Sequence, residues 1–162
     1  MADKKQVQVR ILESAKKMLI DYLEQHQQRK TPERLAILED IYTHNGHFDV
    51  EDIFVHMKAK NYRVSRATLY NTINMFLDAK LIIKHQFGNN SAHYERAFGN
   101  KPHDHLVCLT CGDIIEIDTE IEDIAREVAD RADFYITHHS LYIYGYCKKC
   151  QAKRVANSEN NV

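Results

Sequence analysis

The stretch SRATLYNTINMFLDAKLIIKHQFGNNSAHYER, residues 65–96, changes its hydrophobic period halfway along, and that change decides the fold of the first half of the chain. Ser65 stands where an N-cap belongs, and behind it Leu69, Ile73, Phe76 and Leu77 recur at helical spacing. The opposite face of this helix presents Arg66, Tyr70, Asn71 and Asn74. After Lys80 the period becomes two, so that 81–87 and 91–96 read as strands around the turn Gly88-Asn89-Asn90. Working backward, Asp49 caps a preceding helix with Asp52 at the capping-box position and Val50, Ile53, Phe54 and Met57 on its buried face. Thr31-Pro32 opens another, with Leu35, Leu38, Ile41 and Tyr42 as its stripe and an end expected at Asn45-Gly46. A long amphipathic helix over 7–28 comes first, carrying Ile11, Ala15, Met18, Leu19, Tyr22 and Leu23 on one side. Three short helices and a hairpin spell a winged helix, whose last helix is the one that enters the major groove of double-stranded DNA.

Charge agrees with that reading. Residues 1–102 hold 16 basic and 12 acidic side chains, whereas 103–162 hold 6 and 11, so a near-neutral chain divides into a basic half and an acidic half. Arg and Asn bond base edges in pairs and Tyr offers a hydroxyl on a flat ring, which makes Arg66, Tyr70 and Asn71 candidates for base reading. Arg29 and Arg34, with Lys30, Lys58, Lys60 and Arg63, gather at helix entries where phosphate contacts are made. The start, Met1-Ala2-Asp3-Lys4-Lys5, has no apolar signal region and no segment approaches the roughly 20 apolar residues of a membrane span, so a cytoplasmic protein without membrane contact is expected.

The second half carries the metal chemistry. Cys108-Leu-Thr-Cys111 and Cys147-Lys-Lys-Cys150 are two CxxC pairs, and together they supply the four thiolates of a closed tetrahedral zinc site. In a reducing compartment such pairs read as metal ligands; a redox dithiol would need only one of them. Such a site has no open position and reads as structural, a staple for a unit too small to hold a core alone. On an extended strand His103 and His105 share a face while Asp104 and Cys108 take the other, which separates a second, His and carboxylate site from the first. Glu116 on the next strand and Glu95 on the wing are candidate oxygen ligands, with His47 reaching from the first half. The elements expected there are strands over 103–108 and 113–117, a helix over 119–133 with Ile121, Ile124, Ala125 and Val128 as its stripe, and a strand over 134–146. An α+β architecture follows: a winged-helix domain over 1–98, a hinge at 99–102, an α/β domain over 103–150, and a polar tail over 151–162 that reads as disordered.

Four segments carry a family resemblance: 31–38 (TPERLAIL), 67–71 (ATLYN), 103–108 (HDHLVC) and 139–145 (HSLYIYG). On them the chain resembles the ferric uptake regulator family over residues 7–150. The resemblance implies a homodimer with a C-terminal α/β dimerisation domain, repressing pseudo-palindromic operators when loaded with divalent metal. It implies structural Zn2+ at Cys108, Cys111, Cys147 and Cys150, and a regulatory site at His47, Glu95, His103, His105 and Glu116. A further family site would fall on Asp104, Glu122 and His139, with Pro102 where a fourth, often histidine, ligand is expected. Glu122 also stands three residues after Thr119, where it would serve a capping box. Within the family, Asn71 resembles the peroxide-sensing branch and Glu116 the iron-sensing one; Fe2+ sensing is preferred, with peroxide or zinc sensing as the alternative and Zn2+ or Mn2+ able to substitute. No small organic substrate is implied. Two readings of other classes remain at this stage: a zinc enzyme using His103, His105 and a carboxylate, and a constitutive DNA-binding protein in which zinc only stabilises the fold.

Overall fold

The computed structural model describes residues 2–44, 46–86, 92–100, 103–137 and 139–159. It divides into two compact units, Met1–Asn100 and Lys101–Val162. The turn Gly88-Asn89-Asn90 and the residues Lys101-Pro102 of the expected hinge lie outside the described residues.

The first unit contains α1 (Ala2–Gln25), α2 (Pro32–Thr43), α3 (Val50–Ala59), α4 (Arg66–Asp78) and the hairpin β1 (Ile82–Gln86) with β2 (Ala92–Arg96). Local chemistry sets the helix starts. The Thr31 hydroxyl accepts from the Arg34 N–H, Asp49 and Asp52 form a reciprocal capping box, and Ser65 accepts from the Thr68 N–H. The end of α2 falls near the expected Asn45-Gly46: His44 is its C-cap in extended conformation, and Gly46 takes a positive φ. A single core joins all four helices to the wing, with Leu19, Leu38, Ile53, Ile73, Phe76 and Leu81 among its most enclosed members. Tyr42 is fully buried there and donates its hydroxyl to the Leu81 carbonyl at 2.6 Å, tying α2 to the entry of the wing. The strands are antiparallel, with Ile83 opposite Glu95 and His85 opposite His93. Phe48 bridges Tyr94 through 2.9 and 2.8 Å backbone bonds, which brings the residues before α3 alongside β2. Gly99 closes this unit at φ +88°, where a Cβ would strike Ile11.

The second unit is a three-stranded sheet of order β4-β3-β5, with β3 (Asp104–Cys108) central, β4 (Ile114–Ile117) antiparallel and β5 (Tyr142–Gly145) parallel to it, and the helices α5 (Glu122–Arg131) and α6 (Lys148–Glu159). Two expectations change. The tail does not lack regular structure, because α6 runs from the second CxxC turn to Glu159. Thr119 does not cap α5, which begins after Ile121 with no side-chain cap; the Thr119 hydroxyl instead donates to the buried Asp104 carboxylate. The stripe of α5 is also largely uncovered, with Ile124 and Val128 exposed.

Candidate metal centres and nucleic-acid interface

The cysteine site is built by two turns at one end of the sheet. Cys108 ends β3 and Cys111 follows in the turn before β4; Cys147 and Cys150 flank the start of α6. One sulfur from each of the four lies within 4.8 Å of the others, and Cys111 Sγ stands 3.8 Å from Cys147 Sγ. A tetrahedron with bonds of about 2.3 Å has an edge of roughly 3.8 Å, so the spacing suits Zn2+. Electrostatics prepare the first ligand: the backbone N–H of Cys147, 3.3 Å from Cys108 Sγ, and then that of Cys111 hold the Cys108 thiol down at about 6. Cys150 is pushed up to about 12, first because Cys147 bonds its protonated form. Cys108 is thus a ready thiolate while Cys111 and Cys150 hold their protons, and a bound cation would overcome that reluctance.

The remaining candidate donors fall into two groups, each held inside its own unit. In the first unit, alternation along the hairpin places His85 and Glu95 on one face as diagonal neighbours, and His85 Nε2 meets Glu95 Oε1 at 2.8 Å with both side chains buried. Asn100 donates to the other Glu95 oxygen at 3.0 Å. His47, next to the Phe48 bridge, lies with its ring 5.3 Å from that of His85. In the second unit, His103 and His105 have ring centroids 4.8 Å apart on one face of β3, as their parity requires. His105 stands opposite Glu116 in the β3–β4 register and stacks on Tyr142, and His103 Nε2 is 3.9 Å from Glu116 Oε1. Imidazole and carboxylate are donor types that suit a divalent transition ion, and within this unit the close pair is His103 with Glu116. His85 and Asn100 escaped the sequence reading. The only signal for them was the hairpin register, which depends on the turn length.

Asp104 takes the other side of β3. It is buried and accepts both the Thr119 hydroxyl and the Leu141 N–H, the latter at 3.0 Å, so it has a complete structural role between β3 and β5. The side chain of Glu122 lies outside the described residues. His139 lines a cleft beneath α5 with Phe134 and Tyr135.

On the first unit, the outer face of α4 is open. Tyr70 is 53% exposed and Asn71 is exposed beside it. Arg66 is occupied: its guanidinium makes two bonds to Glu51, at 3.0 and 2.6 Å, and lies 4.1 Å above the Phe54 ring. Arg34 donates to the Arg29 backbone carbonyl at 2.6 Å, which holds its side chain against the chain entering α2. Arg34, Arg63 and Asn71 line one cleft between α2 and α4.

Comparison with known proteins adds an independent finding. A model of the ferric uptake regulator family matches residues 25–144. The chain is 35% identical over 125 residues to the ferric uptake regulation protein of Neisseria meningitidis, spanning 76% of this chain and 86% of that protein. It is 30% identical over 148 residues to the peroxide-responsive repressor PerR of Staphylococcus aureus, spanning 91% and 99%. Among solved structures it is similar to the Helicobacter pylori ferric uptake regulator Fur, described with three functional metal binding sites, at a TM-score of 0.78 and 27% identity over 86% of this chain and 93% of that one.

Proposed function

The chain belongs to the ferric uptake regulator family of metal-responsive transcription regulators, and from that premise we propose that it is an Fe2+-sensing repressor acting in the cytoplasm as a homodimer on pseudo-palindromic operators. In this reading the Cys108, Cys111, Cys147 and Cys150 set holds Zn2+ for stability. Fe2+ occupies a regulatory site that takes His47 and Glu95 from the first unit and His103, His105 and Glu116 from the second. Arg66, Tyr70 and Asn71 read bases, and Arg29 and Arg34 meet phosphates.

One observation carries most of this: His103 stands 3.9 Å from Glu116, with the His105 ring 4.8 Å from its own, in a unit that keeps four thiols clustered elsewhere. The soft set serves the fold, so the harder set is left to exchange its ion. Ligands drawn from two units make metal binding favour one arrangement of the units over others, by as much as the ion's affinity differs between them. Dimerisation is supported by apolar surface on the second unit, where Phe134 is 69% and Tyr135 87% exposed and Ile115, Ile124, Val128 and Ile143 are also open. An enzymatic role would leave the winged-helix unit without a task.

The test is an anaerobic titration of Fe2+, Mn2+ and Zn2+ into protein that keeps its cysteine-bound zinc, with operator binding as the readout. Fe2+-dependent binding that is lost in a His103→Ala, His105→Ala double variant with intact fold is the expected result. Binding that ignores all three ions would sink the proposal. Asn71 and the likeness to the peroxide-responsive repressor favour one second reading, peroxide sensing. Rapid oxidation of a histidine ligand when peroxide meets the Fe2+ form would select it; Fe2+ release without oxidation selects iron sensing.

A further inference from the structure

Asp40 lies in the core of the first unit with no exposure, a place where a carboxylate stays only if it is compensated. Three side chains surround it. His56, from α3, contacts Oδ2 through Nδ1 at 2.9 Å, and Lys60 Nζ, at the C-cap of α3, reaches Oδ1 at 2.7 Å. His44, one turn beyond Asp40 in α2, has Nδ1 3.6 Å from Oδ1 while donating to the Asp40 carbonyl at 2.8 Å. The two imidazoles stack with centroids 4.5 Å apart and an interplanar angle of 20°. One ligand atom from each of Asp40, His44 and His56 lies within 4.8 Å of the others.

We propose that Asp40, His44 and His56 form a metal site of their own, separate from the cysteine and regulatory sites, for a Zn2+-class divalent ion. Bonds of about 2.1 Å to nitrogen and oxygen set a tetrahedral edge of roughly 3.4 Å, and each imidazole already stands near that distance from one oxygen of the carboxylate, His44 3.6 Å from Oδ1 and His56 2.9 Å from Oδ2. Asp40 lies in the last turn of α2 and His44 is its C-cap four residues on, while His56 comes from the helix packed against it. Imidazole with carboxylate selects the later transition ions, so Zn2+, Ni2+ or Cu2+ bind ahead of Fe2+. On binding, each neutral ring presents its Nδ1 lone pair to the ion and carries its proton on Nε2 instead. Lys60 is the internal competitor: its ammonium and the ion contend for the same carboxylate oxygen, and its side chain is exposed enough to swing into solvent. The ion would join the last turns of α2 and α3, and α3 is the helix whose Glu51 holds Arg66.

The site is tested in the full chain with its cysteine-bound zinc in place and with His103→Ala and His105→Ala removing two donors of the regulatory site. Zn2+ is titrated while the histidine side-chain nitrogens are followed by ¹H–¹⁵N correlation spectra, with His44→Gln and His56→Gln for assignment. The His44 and His56 signals should move together and saturate, and Asp40→Asn should weaken Zn2+ binding about tenfold or more. Since Asp40→Asn also empties a buried charge and can unfold the unit, Lys60→Met provides the second arm and should tighten Zn2+ binding. Signals of His44 and His56 that stay unmoved while other histidines saturate would overturn the proposal, and so would a Lys60→Met protein that binds Zn2+ no more tightly than its parent. The cluster would then be an ion-pair tie between two helices.

Discussion

Replacing Cys150 with Ser should unfold the second unit and leave the first standing. The contrast comes from where apolar side chains are enclosed. Among the described residues the first unit encloses 19 hydrophobic side chains, whereas the second encloses Val107, Ala129 and two cysteines that are themselves ligands. Full burial of a valine contributes about 1.5–3 kcal/mol, and an alanine contributes less. Structural zinc binds with about 10–16 kcal/mol of apparent free energy in zinc-finger peptides, which is on the scale of the about 5–15 kcal/mol that holds a whole domain. A serine hydroxyl is a poor ligand for Zn2+, so most of that free energy is lost while the enclosed valine replaces only a small part. Residue-resolved hydrogen exchange measures the outcome. Amides of α2, α3 and α4 should keep their protection, those of β3, β4 and β5 should exchange at rates near the unfolded chain, and self-association should disappear in sedimentation. If β3 amides in the Cys150→Ser protein kept wild-type protection, the zinc would not be the staple, and the second unit would owe its fold to its own apolar contacts.

Glu51→Gln should strengthen operator binding about two- to fivefold and steepen its salt dependence, because it releases the Arg66 guanidinium for a phosphate or base; unchanged affinity and slope would mean that Arg66 does not face DNA. Tyr42→Phe should cost about 1 kcal/mol in urea unfolding, at the low end for a buried bond, because the Leu81 carbonyl still accepts the Ala97 N–H at 3.0 Å. Zinc uptake by the metal-free chain should release close to four protons at pH 7, read by calorimetry in buffers of different ionisation enthalpy, because the second unit unfolds without its ion and its thiols return to the ordinary value of 9; a release near three would mean that the folded arrangement, in which Cys108 is already a thiolate, persists without zinc.

What could be read from the sequence was what local chemistry decides. Thr31, Asp49 and Ser65 cap helices through contacts three residues away, and the CxxC pairs close over three, so spacing alone sufficed for each. Parity along one strand was likewise enough to set His103 with His105 and against Asp104. Long-range partners were another matter. Thr119 looked like a cap until β3 offered its hydroxyl the buried Asp104, and a tertiary acceptor of that kind outweighs a local preference. Asp40 interrupts the apolar stripe of α2 and would be taken for a solvated residue, because its partners His56 and Lys60 arrive 16 and 20 positions later. His85 pairs with Glu95 only once the hairpin register is known. The helical tail had no apolar period to announce it.

The division between a metal that holds the fold and a metal that reports follows from where the cores lie. An ion whose loss unfolds its own unit cannot serve as a graded signal, since its release destroys the surface that would be read. The cysteine site is in that position, because the second unit encloses so little without it. The first unit has a continuous core that needs no ion, and its donors Glu95 and His85 are fixed by bonds to each other and to Asn100. The second unit fixes His103, His105 and Glu116 through sheet register once zinc has closed its end. On the proposed reading, donors pre-set in this way cost little ordering when an ion arrives, so its binding free energy remains available for changing the arrangement of the units. Zinc in the cysteine site is therefore a precondition for sensing: removing it should abolish the response to every other metal, whereas removing the regulatory ion should leave both units folded.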